Sequence, residues 1–442
     1  MRSADKIILA ALCLLAAALW GCSPKKNTAA SRNYQAFITR YNIYFNGDEH
    51  FRETLESMEH SYEDDFTRLL PMHPAEARGK EGVAQPTGDF KRSTEKAQKA
   101  IQLRSIKKRP RRTPGKGRDP EYREWLKREE YNPFLHNAWM MLARSQYMDG
   151  DFLGAAATFM YIARHFSWLP QTVTEARLWQ ARSYCAAGWV HEARATLDRV
   201  KEKDLTDGTL RGLYGFTAAD IEIASGHYSD AIAPLRTAAE HAKGTQKARL
   251  NFLLGQLLER QHSNAEASAA YAKVSGAASV PYSLRFNARL RRSATATGSD
   301  IPGELKAVRR MTRYERNKEY LDQIHYAEGN LLLQLGDTAG ATKAYAQAVE
   351  KSTRRGPDMA VAALALGQLY FSQGEYDKAQ PMYSAAVSQL AKDYPGIDSI
   401  RRHSDVLDEL AVHSRNVREQ DSLIALAQMP EADRLQVIDE AI

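Results

Sequence analysis

Cysteine is nearly absent from this chain of 442 residues: three occur, Cys13, Cys22 and Cys185. A disulfide framework is thereby excluded, and stability has to come from packing. Long apolar runs are missing as well, for the run from Ile7 to Leu19 has 13 residues and is too short to cross a bilayer as a helix. Catalytic wording is equally scarce. There is no His-Glu-x-x-His, no phosphate-cradling glycine loop and no Gly-x-Ser-x-Gly elbow. The acidic group Glu59, His60, Glu63, Asp64 and Asp65 sits at helical spacing but lacks a second histidine at metal-ligand distance, so it reads as a solvated face. These absences predict a protein without catalytic residues, metal, cofactor or small-molecule substrate.

What is present begins with charge. The formal net charge is +7, yet Arg104, Lys107, Lys108, Arg109, Arg111, Arg112, Lys116 and Arg118 follow one another with no acid between them, and these eight cations exceed the whole. The rest of the chain is close to neutral. Pro110, Pro114, Gly115 and Gly117 exclude a regular helix over 107–118, which reads as a mobile basic loop. Its two readings are a solvated linker and an electrostatic contact with lipid phosphate, acidic glycan or an acidic protein.

Arg2 and Lys6 ahead of the apolar run predict a cleaved signal peptide over 1–21. It ends in Leu19-Trp20-Gly21-Cys22, which resembles the lipobox of bacterial lipoproteins and makes Cys22 the candidate lipidation site. Several acyl chains on one cysteine would make attachment effectively permanent. Residues 22–31 then serve as a tether. The absence of an acid directly after Cys22, and of an acidic cluster nearby, predicts the periplasmic leaflet of the outer membrane. Nucleic acid is not an expected partner there. Cys13 leaves with the signal peptide, and Cys185 reads as a small buried hydrophobe.

The body of the chain is periodic. Ala155, Ala193, Ala231, Ala267, Ala341 and Ala379 recur at intervals of 38, 38, 36, 74 and 38 residues. Each is followed four residues later by a large partner, Phe159, Leu197, Leu235, Tyr271, Tyr345 or Tyr383. Each is preceded twelve residues earlier by a small one, Ala143, Ala181, Ala219, Gly255, Gly329 or Gly367. Small residues where two antiparallel helices cross, with a large one filling the adjacent groove, resemble the tetratricopeptide repeat. The double interval places a degenerate copy between Tyr282 and Arg313. The expected fold is all-α: a tetratricopeptide-repeat solenoid of about seven helical hairpins over 119–394, with an N-terminal helical extension over 32–106 and C-terminal capping helices over 395–442.

In the extension, Phe37, Tyr41 and Tyr44 share one helical face and Asn46-Gly47 reads as a stop. A second amphipathic helix is expected from Asp48 to Leu70, the pair burying its aromatic face on the first repeat. The Pro- and Gly-rich stretch 71–88 reads as irregular. Asp119 before Pro120 reads as a helix cap.

Two rows line the inner side of the first helices. Met140, Leu178, Phe216, Phe252, Tyr326 and Leu364 form an apolar row, and Arg144, Arg182, Asp220, Gln256, Asn330 and Gln368 a polar one. Together they are the candidate groove for a peptide or partner helix. The competing reading is that the apolar row packs between neighbouring helices.

Several stretches have a more particular wording: Tyr41-Asn42-Ile43-Tyr44-Phe45-Asn46-Gly47, Asn132-Pro133-Phe134-Leu135-His136-Asn137-Ala138-Trp139, Gly150-Asp151-Phe152-Leu153-Gly154-Ala155-Ala156 and Ile162-Ala163-Arg164-His165-Phe166-Ser167-Trp168-Leu169-Pro170. They resemble the SprE/PorW lipoproteins of the type IX secretion system. Ser404-Asp405-Val406-Leu407, Gln420-Asp421-Ser422-Leu423 and Ile438-Asp439-Glu440 are similar as well. The resemblance implies a lipid-anchored periplasmic scaffold required for type IX export and, in gliding cells, for motility. Its implied partners are protein components of the outer-membrane translocon and of the periplasmic ring coupled to the motor. It also implies a C-terminal region longer than the one ending at Ile442. A SusD-like glycan-binding lipoprotein is the alternative from another class.

Overall fold

The computed structural model describes residues 26–392, 394–431, 433–435 and 437; the signal segment, Cys22 and the stretch 438–440 lie outside them. The described residues contain helices, turns and loops and no strand. No helix among them is long and apolar enough to cross a membrane.

The chain opens with α1 (Ala29–Ile38), α2 (Phe45–Ser61), α3 (Lys91–Arg104) and the short α4 (Pro120–Leu126). Helices then follow in seven successive pairs. They are α5 (Leu135–Met148) and α6 (Phe152–His165), α7 (Pro170–Ala186) and α8 (Val190–Leu197), α9 (Gly208–Ala224) and α10 (Tyr228–His241), and α11 (Gly244–Arg260) and α12 (Asn264–Ser275). The remaining three are α13 (Tyr282–Ala294) and α14 (Ile301–Met311), α15 (Leu321–Gln334) and α16 (Thr338–Lys351), and α17 (Pro357–Ser372) and α18 (Tyr376–Gln389). A single long helix, α19 (Ile397–Gln428), closes the series.

The turn inside each pair needs one residue with positive φ to end the first helix. Gly150, Gly188, Gly226, His262, Gly298, Gly336 and Gly374 supply it, at intervals of 38, 38, 36, 36, 38 and 38 residues. This row has no gap, so the degenerate copy keeps its turn at Gly298. What it loses is the size pattern. In register, Arg291 stands where the others have Ala or Gly, Gly303 replaces the alanine, and Ala307 replaces the large partner.

The size pattern has a direct cause. A Cβ added to Gly329 would lie 2.4 Å from the Tyr345 ring, and one added to Gly367 would lie 2.8 Å from the Tyr383 ring. Tyrosine at the large position therefore demands glycine opposite it. Pairs with Phe159, Leu197 or Leu235 have room for Ala143, Ala181 or Ala219 instead, and all three alanines are fully buried.

The chain forms two compact units. The first holds the residues up to Asp64, Pro71–Ser263 and Gly276–Leu284; the second holds Asp65–Leu70, Asn264–Ser275 and the chain from Arg285 on. The first unit has one core of Phe51, Met58, Phe90, Tyr147, Phe159 and Trp179 and another of Leu178, Ala181, Cys185, Leu197 and Ile221. In the second unit Ala360, Leu364, Tyr383, Leu390, Ile397 and Leu407 close on one another. Full burial of a side chain such as Phe159 contributes about 1.5–3 kcal/mol.

Three expectations for the flanks are corrected. Asn46-Gly47 does not stop a helix: the backbone is helical from Ala29 to Ser61, with a π-helical turn at Thr39–Tyr44. Gly47 is needed there because a Cβ would meet Met141 at 2.7 Å. Of the extension's aromatic face, Phe51 and its neighbour Met58 join the core that holds Tyr147 and Phe159, but the first helix leaves its share outside. Phe37 and Tyr41 are 61% and 51% exposed, whereas Ser31, Gln35 and Thr39 face inward. The reason is polar pairing, since Asn132 donates to Thr39 Oγ1 at 3.1 Å and Arg104 to Gln35 Oε1 at 3.3 Å. The second amphipathic helix stops at Ser61, nine residues short of Leu70. At the other end, the region expected to hold the capping helices is occupied mainly by one 32-residue helix, α19.

Candidate binding face

The inner side of the first unit is not open. After Ser61 the chain leaves helical geometry and runs as a strap across the first helices of successive pairs. Asp64 accepts from both terminal nitrogens of Arg249 on α11, at 2.5 and 2.8 Å, and Arg249 also donates to the Pro71 carbonyl at 3.3 Å. Arg249 is 2% exposed. Gln246, one turn earlier, donates to the Met72 carbonyl at 2.7 Å.

The strap then makes a short 3₁₀ turn, Pro74–Ala77, capped by His73, whose Nδ1 accepts from the Ala75 amide at 3.2 Å. Burial holds the His73 imidazole below its usual range, so Nε2 keeps its proton for Glu59 at 3.4 Å. Glu76 faces the pairs α5–α6 and α7–α8. It accepts from the Tyr147 hydroxyl at 3.3 Å and lies 3.8 Å from Arg182. The Arg182 guanidinium is boxed by rings, 3.8 Å from the Phe216 centroid, 4.5 Å from Trp179 and 5.0 Å from Tyr147. Asp220 closes the group, with burial first and the Glu76 charge second holding its carboxyl well above the usual range. Arg78 finishes the crossing by donating to the Met148 carbonyl at 2.5 Å and to Gly88 at 2.7 Å.

The expected solvated acidic face is thus corrected at Asp64, which is buried in an ion pair, and at Glu59, which meets the buried His73. The stretch 71–88 is irregular, yet Met72 and Ala75 are as buried as any core residue.

The two candidate rows divide accordingly. Met140, Leu178, Phe216, Phe252 and Leu364 are buried and serve as packing between helices. Tyr326 lays its ring on Tyr345, and Asn330 accepts from the Tyr345 hydroxyl at 2.6 Å. In the polar row Arg182, Asp220 and Gln256 are buried, and Arg144 pairs with Glu175 on the next first helix, α7. Gln368 alone of the twelve is exposed. The rows therefore do not form a free groove in the first unit: the strap and the helix contacts already engage them. In the second unit the strap residues Phe66 and Leu70 are buried, and Arg291 of α13 donates to the Phe66 carbonyl at 2.9 Å. The large residue of the degenerate copy thus serves the strap.

Residues 216–280 and 326–395 match the tetratricopeptide repeat. Those two stretches are built of tetratricopeptide repeats. No curated protein matches the sequence. Among solved structures, the chain is similar to a tetratricopeptide repeat protein from Parabacteroides merdae, with 12% identity over 62% of this chain and 98% of that one and a TM-score of 0.41. It is also similar to a Rap protein complexed with competence and sporulation factor, at 15% identity over 69% and 92% of the two chains and a TM-score of 0.36. A third is a signal transduction ATPase with a tetratricopeptide repeat sensor from Pyrococcus horikoshii, at 15% identity over 73% and 51% and a TM-score of 0.35.

Two further groups of polar side chains lie apart from the strap. Glu222, His227 and Asp230 bring ligand atoms within 4.8 Å of one another among the described residues. Arg194 holds both Glu222 oxygens at 2.7 and 3.0 Å, however, so a guanidinium already fills the cation's place. A cleft of about 540 Å³ is lined by Trp139, Tyr161 and His165, with Lys107 and Glu129 at its rim. His165 contacts Glu129 and stacks on Tyr161, and the Ser105 hydroxyl in the lining donates to the Glu130 carboxylate, whose other oxygen holds the Ile106 and Asn132 amides. The Cys185 thiol is pushed far above its usual range by burial, which removes thiolate chemistry.

Proposed function

We propose that this protein is a non-enzymatic scaffold lipoprotein of type IX protein secretion, held on the periplasmic leaflet of the outer membrane through Cys22. It links protein components of the outer-membrane translocon to those of the periplasmic ring, and in gliding cells it contributes to motility. Tetratricopeptide hairpins favour such a role, because stacked pairs offer long faces to protein partners.

The observation that carries the reading is where the family-like wording falls. Tyr41 to Gly47 and Asn132 to Trp139 meet at one joint between the N-terminal extension and the first hairpin. Tyr44 packs edge-on to Phe134 at 5.2 Å, and Gly47 rests on Met141. Asn132 also donates to the Arg104 carbonyl at 2.9 Å. A generic repeat does not need this joint, so its wording speaks for a particular lineage more strongly than the periodic alanines do.

Deletion of the gene, with type IX cargo measured in the medium and the tagged protein recovered from solubilised outer membrane, tests the reading. Loss of cargo release together with recovery of translocon or ring components is expected. Normal release with none of those components recovered would overturn it.

A further inference from the structure

The basic segment is fixed at its base and presented outward. Buried Glu130 clamps it by accepting from the Ser105 hydroxyl at 2.5 Å and the Ile106 amide at 2.9 Å, while its Oε1 also takes the Asn132 amide at 2.7 Å. Further along, Tyr122 on α4 accepts from the Thr113 amide at 2.7 Å and donates to the Thr113 hydroxyl at 3.3 Å. Between these two fixings the charges stand free. Lys107, Lys108, Arg109, Arg111, Arg112, Lys116 and Arg118 are all exposed, and no carboxylate among the described residues pairs with them. Of the nearby acids, Asp119 caps α4, Glu124 pairs with Lys127, Glu129 meets His165, and the exposed Glu121 in the first turn of α4 pairs with none of the seven. Seven unpaired cations on one pinned loop repel one another, and an anionic surface relieves that cost.

The chain's own path says which surface. Asn27 donates to the Lys108 carbonyl at 2.7 Å, so the tether lies on the basic loop, with Lys26 exposed beside it. Arg32 reinforces the junction by donating to Asn27 at 2.6 Å and lying 5.0 Å over the Trp125 ring. Asn27 lies five positions after Cys22, a reach of at most about 18 Å. A lipid on Cys22 would therefore hold the loop close to the headgroup layer, within a Debye length or two of it.

We infer that the loop from Lys107 to Arg118 is a second membrane contact, binding the phosphate headgroups of an anionic bilayer and fixing how the repeat array stands on the membrane. The inference rests on the lipid anchor at Cys22 proposed above. A single point anchor lets the array swing freely. A cationic footprint beside that anchor presses one end of the first unit to the surface and turns the hairpins into the periplasm.

The test uses the chain from residue 22 with Cys22→Ser, so that neither acylation nor a secretion partner is required. Its partition onto vesicles of phosphatidylcholine, with and without phosphatidylglycerol, is compared with that of a five-site variant, Lys107→Gln, Lys108→Gln, Arg109→Gln, Arg111→Gln and Arg112→Gln. A milder variant, Arg111→Gln with Arg112→Gln, accompanies it, and thermal melts check that both variants fold. The expected result is salt-sensitive binding to phosphatidylglycerol vesicles, about thirtyfold weaker in the two-site variant and reduced to the neutral-vesicle level in the five-site variant. Equal binding to both vesicle types, no binding to either, or unchanged binding by the five-site variant would overturn the inference. None of those results bears on cargo release, which judges the scaffold reading separately.

Discussion

Replacing Asp64 by alanine tests the strap at its deepest point. Arg249 is 2% exposed and Asp64 is 6% exposed, and the two share a bidentate contact at 2.5 and 2.8 Å. Without Asp64 the guanidinium keeps only its bond to the Pro71 carbonyl, at 3.3 Å. An uncompensated buried charge of this kind costs about 3–5 kcal/mol, whereas replacing both partners with apolar groups is often close to neutral. If the strap opens as a unit, that cost raises its open population roughly a hundred- to several-thousand-fold. Hydrogen exchange reads it at the Glu76 and Arg78 amides, which bond to the carbonyls of His73 and Ala75 at 3.1 Å each. Asp64→Ala is expected to accelerate both amides by that factor, and Asp64→Leu with Arg249→Met to restore most of the protection. Unchanged exchange in Asp64→Ala, or a double variant as exposed as the single one, would refute the reasoning.

The glycine–tyrosine pairing makes a second prediction. Gly329→Ala drives a methyl into the Tyr345 ring and is expected to cost about 1–3 kcal/mol. Tyr345→Leu in the same chain should recover most of it, because Ala181 with Leu197 is that combination in another hairpin; thermal melts of the three variants decide. A third prediction concerns pH. Burial first and the Asp322 charge second raise the Asp358 carboxyl to about 7. Its folded value thus lies above the unfolded one, so its contribution is complete below about pH 4 and is lost as pH rises through 7. Asp358→Asn is expected to raise the melting point at pH 8 by the equivalent of about 1–3 kcal/mol and to leave it unchanged at pH 4. A gain of equal size at both pH values would contradict that assignment.

Periodic features were legible from the residues alone. The alanines and their large partners located the hairpins, and the gap between Ala267 and Ala341 placed the degenerate copy. The turn glycines carry a fuller signal, since Gly298 marks the copy that the alanine row omits. What the pattern could not show was non-local. Asp64 and Arg249 are 185 positions apart, and no local rule links an acid after a helix end to an arginine two hundred residues later. A hint was available in Arg249 itself, a charge set between Ala248 and Leu250 in an apolar helix. The extension misled for a similar reason. Hydrophobic spacing favoured burial of Phe37 and Tyr41, but Asn132 and Arg104 supply polar partners that draw Thr39 and Gln35 inward. Burial of a polar face becomes affordable only when its partners arrive from distant chain. The strap's occupation of the candidate groove in the first unit was hidden on the same account, because the residue that meets Arg182 is Glu76, from a stretch with no periodicity.

The first unit's inner face is filled by its own strap, so partners of that unit must meet its other faces. Thiol labelling measures this directly in the chain from residue 22 carrying Cys22→Ser. Met72 is 2% exposed and Cys185 is 7% exposed, whereas Lys80 stands in solvent. Met72→Cys should react with a maleimide as slowly as Cys185, and Lys80→Cys at the rate of a free thiol. Labelling of Met72→Cys as fast as Lys80→Cys, in a chain that melts normally, would mean that the strap is not seated and the inner face is open.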